Sequence, residues 1–315
     1  MKNPSLSEGL FVDINQNLTY FYIKKNMWNN EDYNKFHLID VIDGMKKIPD
    51  NSVDIVLSDP PYNIGKDFGI CKDNMELTSY LEWCDLWIDE CKRIIKPSGV
   101  IYIYGFSEIL AHISVRIDLP KRWLIWHYTN KTTPSYKGWQ RSHESILYIW
   151  KDKPVFNRDA VRVPYTETFL KNSSGKKRTN TGTARFGNSA DTVYTAHENG
   201  ALPRDVFTEI STLAGGAGRE RYFLYKDTVY PSKEIKKFPV DECIKHPTQK
   251  PSKLTEKLIK ASLPENGGTV VIPFGGSGTE GVVCKRLGVD FIGFDINQKY
   301  LKLAEGALEQ YKTIY

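Results

Sequence analysis

Apolar positions in this chain gather into short blocks whose period alternates between strand-like and helix-like. Val53-Asp54-Ile55-Val56-Leu57-Ser58 is a β-branched apolar run that stops at Asp59-Pro60-Pro61, as a buried parallel strand would. The prolines end it because they have no donor for a sheet ladder. Leu81, Cys84, Leu86, Trp87, Cys91, Ile94 and Ile95 recur at helical spacing and predict a helix over Thr78–Ile95, terminated by Lys96-Pro97-Ser98-Gly99. A strand Val100–Tyr104, a helical piece near Glu108–Val115 and strands at Arg122–Tyr128 and Ser145–Trp150 follow. The rhythm returns with a helix Ser252–Ala261 behind Pro251, a strand Thr269–Ile272, a helix reaching Leu287, a strand Phe291–Phe294 and a last helix Gln298–Tyr311. Strands alternating with helices across short turns predict an α/β fold with a doubly wound, mostly parallel sheet and an antiparallel edge.

Two stretches break this rhythm. Residues 1–36 are polar, lack a period and read as an N-terminal arm. Residues 151–240 separate 37–150 from 241–315, so these read as two halves of one domain with an inserted region between them. That region carries Lys171, Lys176, Lys177, Arg178 and Arg185 with no acid among them, and a glycine-rich stretch leads into Arg219 and Arg221. Such segments are either solvated loops or surfaces that meet phosphate.

Composition narrows the field without deciding it. Forty-three Lys+Arg against 38 Asp+Glu give a net charge of +5, which permits a nucleic-acid partner but does not require one. The five cysteines form no C-x-x-C pair, so packed, reduced thiols are expected, with no disulfide framework and no metal. No apolar stretch approaches the roughly twenty residues of a membrane span. The N-terminus leads into no signal-like run, and a soluble, cytoplasmic protein is expected.

Two motifs carry chemistry. Gly276-Ser277-Gly278-Thr279-Glu280-Gly281 fits G-x-G-x-x-G between a strand and a helix, and Asp295 ends the next strand. Glycines let the backbone approach an adenosine-containing ligand, and the acid accepts from ribose hydroxyls. A nicotinamide oxidoreductase would use the same turn. Fewer than two βα units remain after it, however, so earlier strands must complete the sheet. Asp59-Pro60-Pro61-Tyr62 ends a strand in two rigidly held acceptors, the Asp59 carboxylate and the Pro60 carbonyl, which in the amino-methyltransferase motif that it resembles take the two hydrogens of an exocyclic amine. The same resemblance implies the Tyr62 ring as a stacking face for an extruded base.

Ser58–Asn63, Pro273-Phe274-Gly275-Gly276-Ser277-Gly278-Thr279 and His246-Pro247-Thr248-Gln249-Lys250-Pro251 together resemble the motifs of DNA amino-methyltransferases. Their order, with D-P-P-Y before the cofactor motif, is similar to that family's permuted beta arrangement, whose target-recognition region lies between the two. The resemblance implies a Rossmann-like methyltransferase fold and S-adenosylmethionine as cofactor. It implies Asp59, Pro60, Pro61 and Tyr62 as catalytic residues. It further implies Asp40, Thr248, Lys250, Phe274, Gly275, Gly276, Ser277, Gly278, Thr279 and Asp295 as cofactor-binding ones. Thr248 and Lys250 would meet the methionine carboxylate. Asp40 reads equally as a helix N-cap. Ile272 stands where the family has Asp or Asn, so one polar contact differs. His143-Glu144-Ser145 resembles a segment lining the family's base pocket. D-P-P-Y implies N6 of adenine, with N4 of cytosine as the alternative, and a non-catalytic DNA-binding module stands as a rival of another class. Implied partners are double-stranded DNA and, left open, a second copy of the chain and a cognate restriction endonuclease.

Overall fold

The computed structural model describes residues 27–69, 73–130, 138–178, 192–193, 195–213 and 220–311. Cys71, Arg185, Arg219 and the first 26 residues of the expected arm lie outside them. An eight-stranded sheet organises the chain. In chain order its members are β1 (Lys35–Leu38), β2 (Val53–Ser58), β3 (Ile95–Gly105), β4 (Lys121–His127), β5 (His143–Trp150), β8 (Val206–Phe207), β11 (Thr269–Ile272) and β12 (Asp290–Asp295). Two small ribbons stand apart, β6 (Lys177–Arg178) with β7 (Thr192–Val193) and β9 (Tyr222–Tyr225) with β10 (Thr228–Pro231).

The spatial order is β1-β12-β11-β2-β3-β5-β4-β8. Neighbours from β1 through β3 run parallel, β5 lies antiparallel to both β3 and β4, and β8 pairs parallel with β4. The connection from β11 leads to β12 on one side, and the connection from β2 leads to β3 on the other. The chain therefore changes direction between β11 and β2, and a crevice opens at the carboxyl ends of these strands. Asp54, buried near the start of β2, fixes this junction. Its carboxylate accepts from the Lys96 ammonium at 2.8 and 2.9 Å and from the Thr269 N–H at 2.9 Å.

Helices cover both faces. α1 (Val41–Met45), α2 (Leu77–Ile94) and α3 (Ser107–Ser114) lie on one; α5 (Ser252–Ser262), α6 (Thr279–Leu287) and α7 (Gln298–Glu309) lie on the other, while α4 (Glu167–Asn172) sits outside the sheet core. Strand alternation distributes the core. Along β3, Val100, Tyr102 and Tyr104 join Leu254, Val283 and Leu303, whereas Ile101 and Ile103 join Trp87, Ile88 and Ile113. In α2, Tyr80, Leu81, Cys84, Trp87, Ile88, Cys91 and Ile94 form the buried stripe, and Glu76 caps its start by accepting from the Ser79 N–H at 3.1 Å.

The structure moves several expected boundaries. Lys96–Gly99 does not separate α2 from a shorter strand. β3 begins at Ile95 directly after the helix, and its register against β2 slips so that Val53 faces Ile95 while Ile55 faces Val100. β1 starts at Lys35, inside the stretch read as an arm, because Phe36 is needed in the core between β12 and the glycine turn. Nor does the stretch 151–240 stand wholly apart. β8 extends the sheet, and Leu224 and Val229 of the second ribbon pack with α7 residues.

Candidate functional site

The loops after β1, β12, β11 and β2 meet at one edge of the sheet and bring Asp40, Asp295, the glycine turn and Asp59 to a single cavity of about 600 Å³. That volume is in the range of small-molecule sites. β5 runs antiparallel to β3, so its first residues reach the same edge and add Glu144.

Asp59 follows β2 immediately, and the two prolines hold its backbone extended. Its carboxylate accepts from the Tyr62 hydroxyl at 2.8 Å and from the Lys250 ammonium at 2.9 and 2.7 Å. Lys250 stands 3.7 Å from Glu144, and the Tyr62 hydroxyl lies 3.4 Å from the same carboxylate. Burial alone would discharge the Lys250 ammonium, but Asp59 and Glu144 outweigh it and hold its pKa above the usual lysine value. The arithmetic agrees: attraction of about 4 kcal/mol per contact at an effective dielectric of about 20, from two acids, offsets a desolvation cost of several kcal/mol. Burial first, then the field of Asp59 and Glu144, drives the Tyr62 phenol well up, so its proton stays in place. The Tyr62 ring meets Phe106 edge-on at 5.1 Å, and Tyr80 of α2 donates to the Pro61 carbonyl at 2.7 Å. The Asp59–Tyr62 loop is thus tied to two elements at once.

The glycine turn is shaped for close approach. Gly276 and Gly278 have φ of +50° and +80°, a region side chains rarely enter. A Cβ on Gly276 would press on His246, and one on Gly278 would sit 2.6 Å from the Ala304 Cβ. Asp295 accepts from the Gly276 N–H and the Asn297 N–H, both at 2.7 Å, and keeps lone pairs for further donors. Burial raises its pKa, with those backbone donors pulling the other way. The cavity, the exposed turn backbone and this carboxylate fit the adenosyl group of S-adenosylmethionine.

Of the residues singled out from sequence, Asp40, Asp59, Pro60, Pro61, Tyr62, Thr248, Lys250, Phe274, Gly275, Gly276, Ser277 and Asp295 line the cavity. Gly278 and Thr279 do not. Gly278 faces α7, and the Thr279 hydroxyl is 3.0 Å from that of Ser277 and 3.3 Å from that of Tyr222. Asp40 also caps α1, accepting from the Ile42 N–H at 2.9 Å. Lys250, expected at a cofactor carboxylate, is engaged by Asp59 because the topology packs the start of α5 against the end of β2. Arg221, expected on an outer loop, is drawn into the cavity wall by the ribbon that follows it. Burial lowers its pKa, and its Nε has no partner among the described residues. Lys171 lies exposed in α4 and Lys176 just after it, while Lys177, also exposed, and Arg178 form β6.

Glu280, Tyr80 and Tyr222 were not legible as site residues. Glu280 occupies the first turn of α6, where an acid reads as ordinary helix chemistry. Tyr222 donates to the Ser277 carbonyl at 2.8 Å from 55 residues away.

The model of the family described as DNA methylase matches residues 53–306, most of the chain and both motifs. The chain belongs to the DNA methylase family. This DNA methylase is 31% identical over 275 residues to the type II methyltransferase M.HpaI of Haemophilus parainfluenzae, covering 85% of this chain and 72% of that one. It is 30% identical over 270 residues to the DNA adenine methyltransferase YhdJ of Escherichia coli, covering 84% and 79%. Among solved structures, the cytosine-N4-specific PvuII DNA methyltransferase superposes with a TM-score of 0.58 at 16% identity, over 89% of this chain and 90% of that one. A Thermus thermophilus protein solved with S-adenosyl-L-methionine gives 0.50 at 18% identity, over 88% and 93%. These structural likenesses establish the α/β methyltransferase fold of the DNA methylase. In the described residues no helix is long and apolar enough to cross a membrane.

Proposed function

We propose that this DNA methylase transfers a methyl group from S-adenosylmethionine to N6 of an adenine extruded from duplex DNA. The observation that carries this reading is Asp59 at the switch point, one strand away from the glycine turn. The cofactor supplies an electrophilic methyl group on a sulfonium. The work of the chain is to present the amine to it.

An exocyclic amine is a weak nucleophile because its lone pair is delocalised into the ring. Asp59 and the Pro60 carbonyl accept its two N–H hydrogens and turn the lone pair toward the methyl group. The Tyr62 hydroxyl, donating to Asp59, fixes the carboxylate, while the ring offers the base a stacking face against Phe106. Lys250 compensates Asp59 until the amine arrives and then retains Glu144 as its second partner. Asp295 takes the ribose hydroxyls, Asp40 and Thr248 flank the cofactor, and Phe274, packed on Trp83 and Trp87, walls it.

Adenine is favoured by the aspartate of D-P-P-Y and by likeness to a relative named as an adenine methyltransferase. Residues 151–240 are assigned to target recognition, with Lys171, Lys176, Lys177 and Arg178 toward phosphates and Arg221 toward an anion inside the cavity. A cognate restriction endonuclease is proposed from the likeness to a type II methyltransferase.

Incubation of unmethylated DNA with the protein and the methyl donor, followed by digestion to nucleosides, tests the reaction. N6-methyl-2'-deoxyadenosine is expected; N4-methyl-2'-deoxycytidine, or no methylated nucleoside, would overturn it. Removing Lys176 and Lys177 together should lower the salt slope of DNA binding by about 2, at roughly 0.9 per phosphate contact.

A further inference from the structure

Glu280 directly follows the glycine turn, lines the cavity and is 5% exposed. Among the described residues its carboxylate has no ion pair within 4 Å and no side-chain hydrogen bond; its own backbone N–H is its donor. The groups that face it are Asp59 at the end of β2, Lys250 before α5, Tyr104 on β3 and Cys284 one turn along α6. Lys250 is already committed to Asp59, at 2.9 and 2.7 Å, and stands 3.7 Å from Glu144. Three carboxylates therefore share one ammonium in a largely buried site.

Such an arrangement is costly unless a further cation joins it, because a buried charge without a partner is poorly solvated. Burial first, then Asp59, raises the Glu280 pKa to about 7, even though the start of a helix favours an anion. The surplus negative charge lies between the turn that ends β11 and the acid that ends β2. On the donor assignment made above, the reacting sulfur and methyl group would lie in that interval. Before transfer the sulfur is a sulfonium with a full positive charge. During transfer the amine lone pair forms the N–C bond, the S–C electrons remain on sulfur, and one amine proton passes by way of its acceptor, Asp59, to solvent. The sulfur is then a neutral thioether.

We propose that Glu280 is a specificity-determining residue of the donor site, whose carboxylate favours the charged sulfonium donor over its neutral thioether product. This inference rests on the donor assignment made above. It gives the chain a means of releasing spent donor in exchange for fresh, since the two ligands differ only in a methyl group and a charge. A pocket selecting on shape alone would separate them weakly.

The test is calorimetric titration of S-adenosylmethionine and S-adenosylhomocysteine into the wild-type protein and into Glu280→Gln, which keeps the side-chain shape. The variant should weaken the sulfonium ligand about tenfold, as expected for losing one nearby charge in a partly screened site, and leave the thioether within about twofold. Near neutral pH, titrations in buffers of different ionisation heat should show a fraction of a proton released with the sulfonium ligand and none with the thioether. The variant should release none with either. Equal weakening of both ligands, unchanged affinities, or equal proton release would overturn the proposal. The wild-type protein alone supplies a second measure, independent of how the variant folds. Its preference for the sulfonium ligand should rise between about pH 6 and 8, as Glu280 ionises, and a flat preference refutes the role. A wild-type protein that binds neither ligand would instead refute the donor assignment.

Discussion

Lys250 holds Asp59 through both carboxylate oxygens, at 2.9 and 2.7 Å, across 191 residues of sequence. The acceptor proposed for the target amine is therefore compensated in advance, and its position is set by a residue from the other half of the chain. Asp59→Ala should reduce methyl transfer by more than about a hundredfold, the scale of losing a positioned acid–base group. The fold should persist, because Glu144 remains to accompany Lys250. Single-turnover transfer of labelled methyl to DNA, alongside circular dichroism, measures both. Activity within a few-fold of wild type would remove Asp59 from the mechanism.

Tyr62 has separable hydroxyl and ring functions. Tyr62→Phe loses one hydrogen bond to Asp59, at about 1 kcal/mol, and should lower transfer by no more than about tenfold. Tyr62→Ala also loses the stacking face, worth roughly 1–3 kcal/mol per base, and should be the more damaging change. Fluorescence of 2-aminopurine at the target position reports extrusion directly. Equal effects of the two substitutions would deny the ring its role.

His246 gives the site a defined acid limit. Burial first, with Lys250 and Lys66 adding to it and Asp59 opposing, pushes its pKa down to about 4 from the ordinary 6.5. Between these values the unfolded chain binds a proton that the folded chain refuses, so this contribution is fully present above 6.5 and is lost as pH falls toward 4. His246→Gln should flatten the fall in urea midpoint across that interval. An unchanged slope would place the acid sensitivity elsewhere.

Gly278 tests the turn. Its φ of +80° and the Ala304 backbone 2.7 Å from a built Cβ leave no room for a side chain. Gly278→Ala should cost about 2 kcal/mol or more in stability and weaken donor binding, because α7 must shift to admit the methyl group. Chemical denaturation and donor titration report the two effects separately. Gly288→Ala is the control, since it has a similar φ of +68° but open space around it.

The legible parts of this fold are those with strong local signals. Val53–Ser58 and Thr269–Ile272 are mostly apolar runs closed within two residues by proline, and both become central parallel strands. The glycine turn and Asp295 carry their geometry in residue type. Val206–Phe207 has no period at all, and it becomes a strand because β4 offers an unpaired edge. The Lys250–Asp59 pair was illegible for a different reason: it exists only once the sheet places β11 beside β2. Arg221 looked like its neighbour Arg219 in sequence, and the ribbon that follows turns it inward. Local chemistry survives in the sequence, whereas partnerships across the sheet depend on topology.

β8 joins β4 through Ile125–Val206 and Trp126–Phe207, and the Trp126 indole donates to the Ile210 carbonyl at 2.7 Å. A long edge strand invites pairing with another chain, and a very short cover blunts that hazard. This end of the sheet is consequently capped from within. A second copy cannot extend the sheet through β4 without first displacing part of its own chain. Exchange of the 151–240 stretch between relatives must carry Val206–Phe207 along, or it will leave the graft's host with a raw edge.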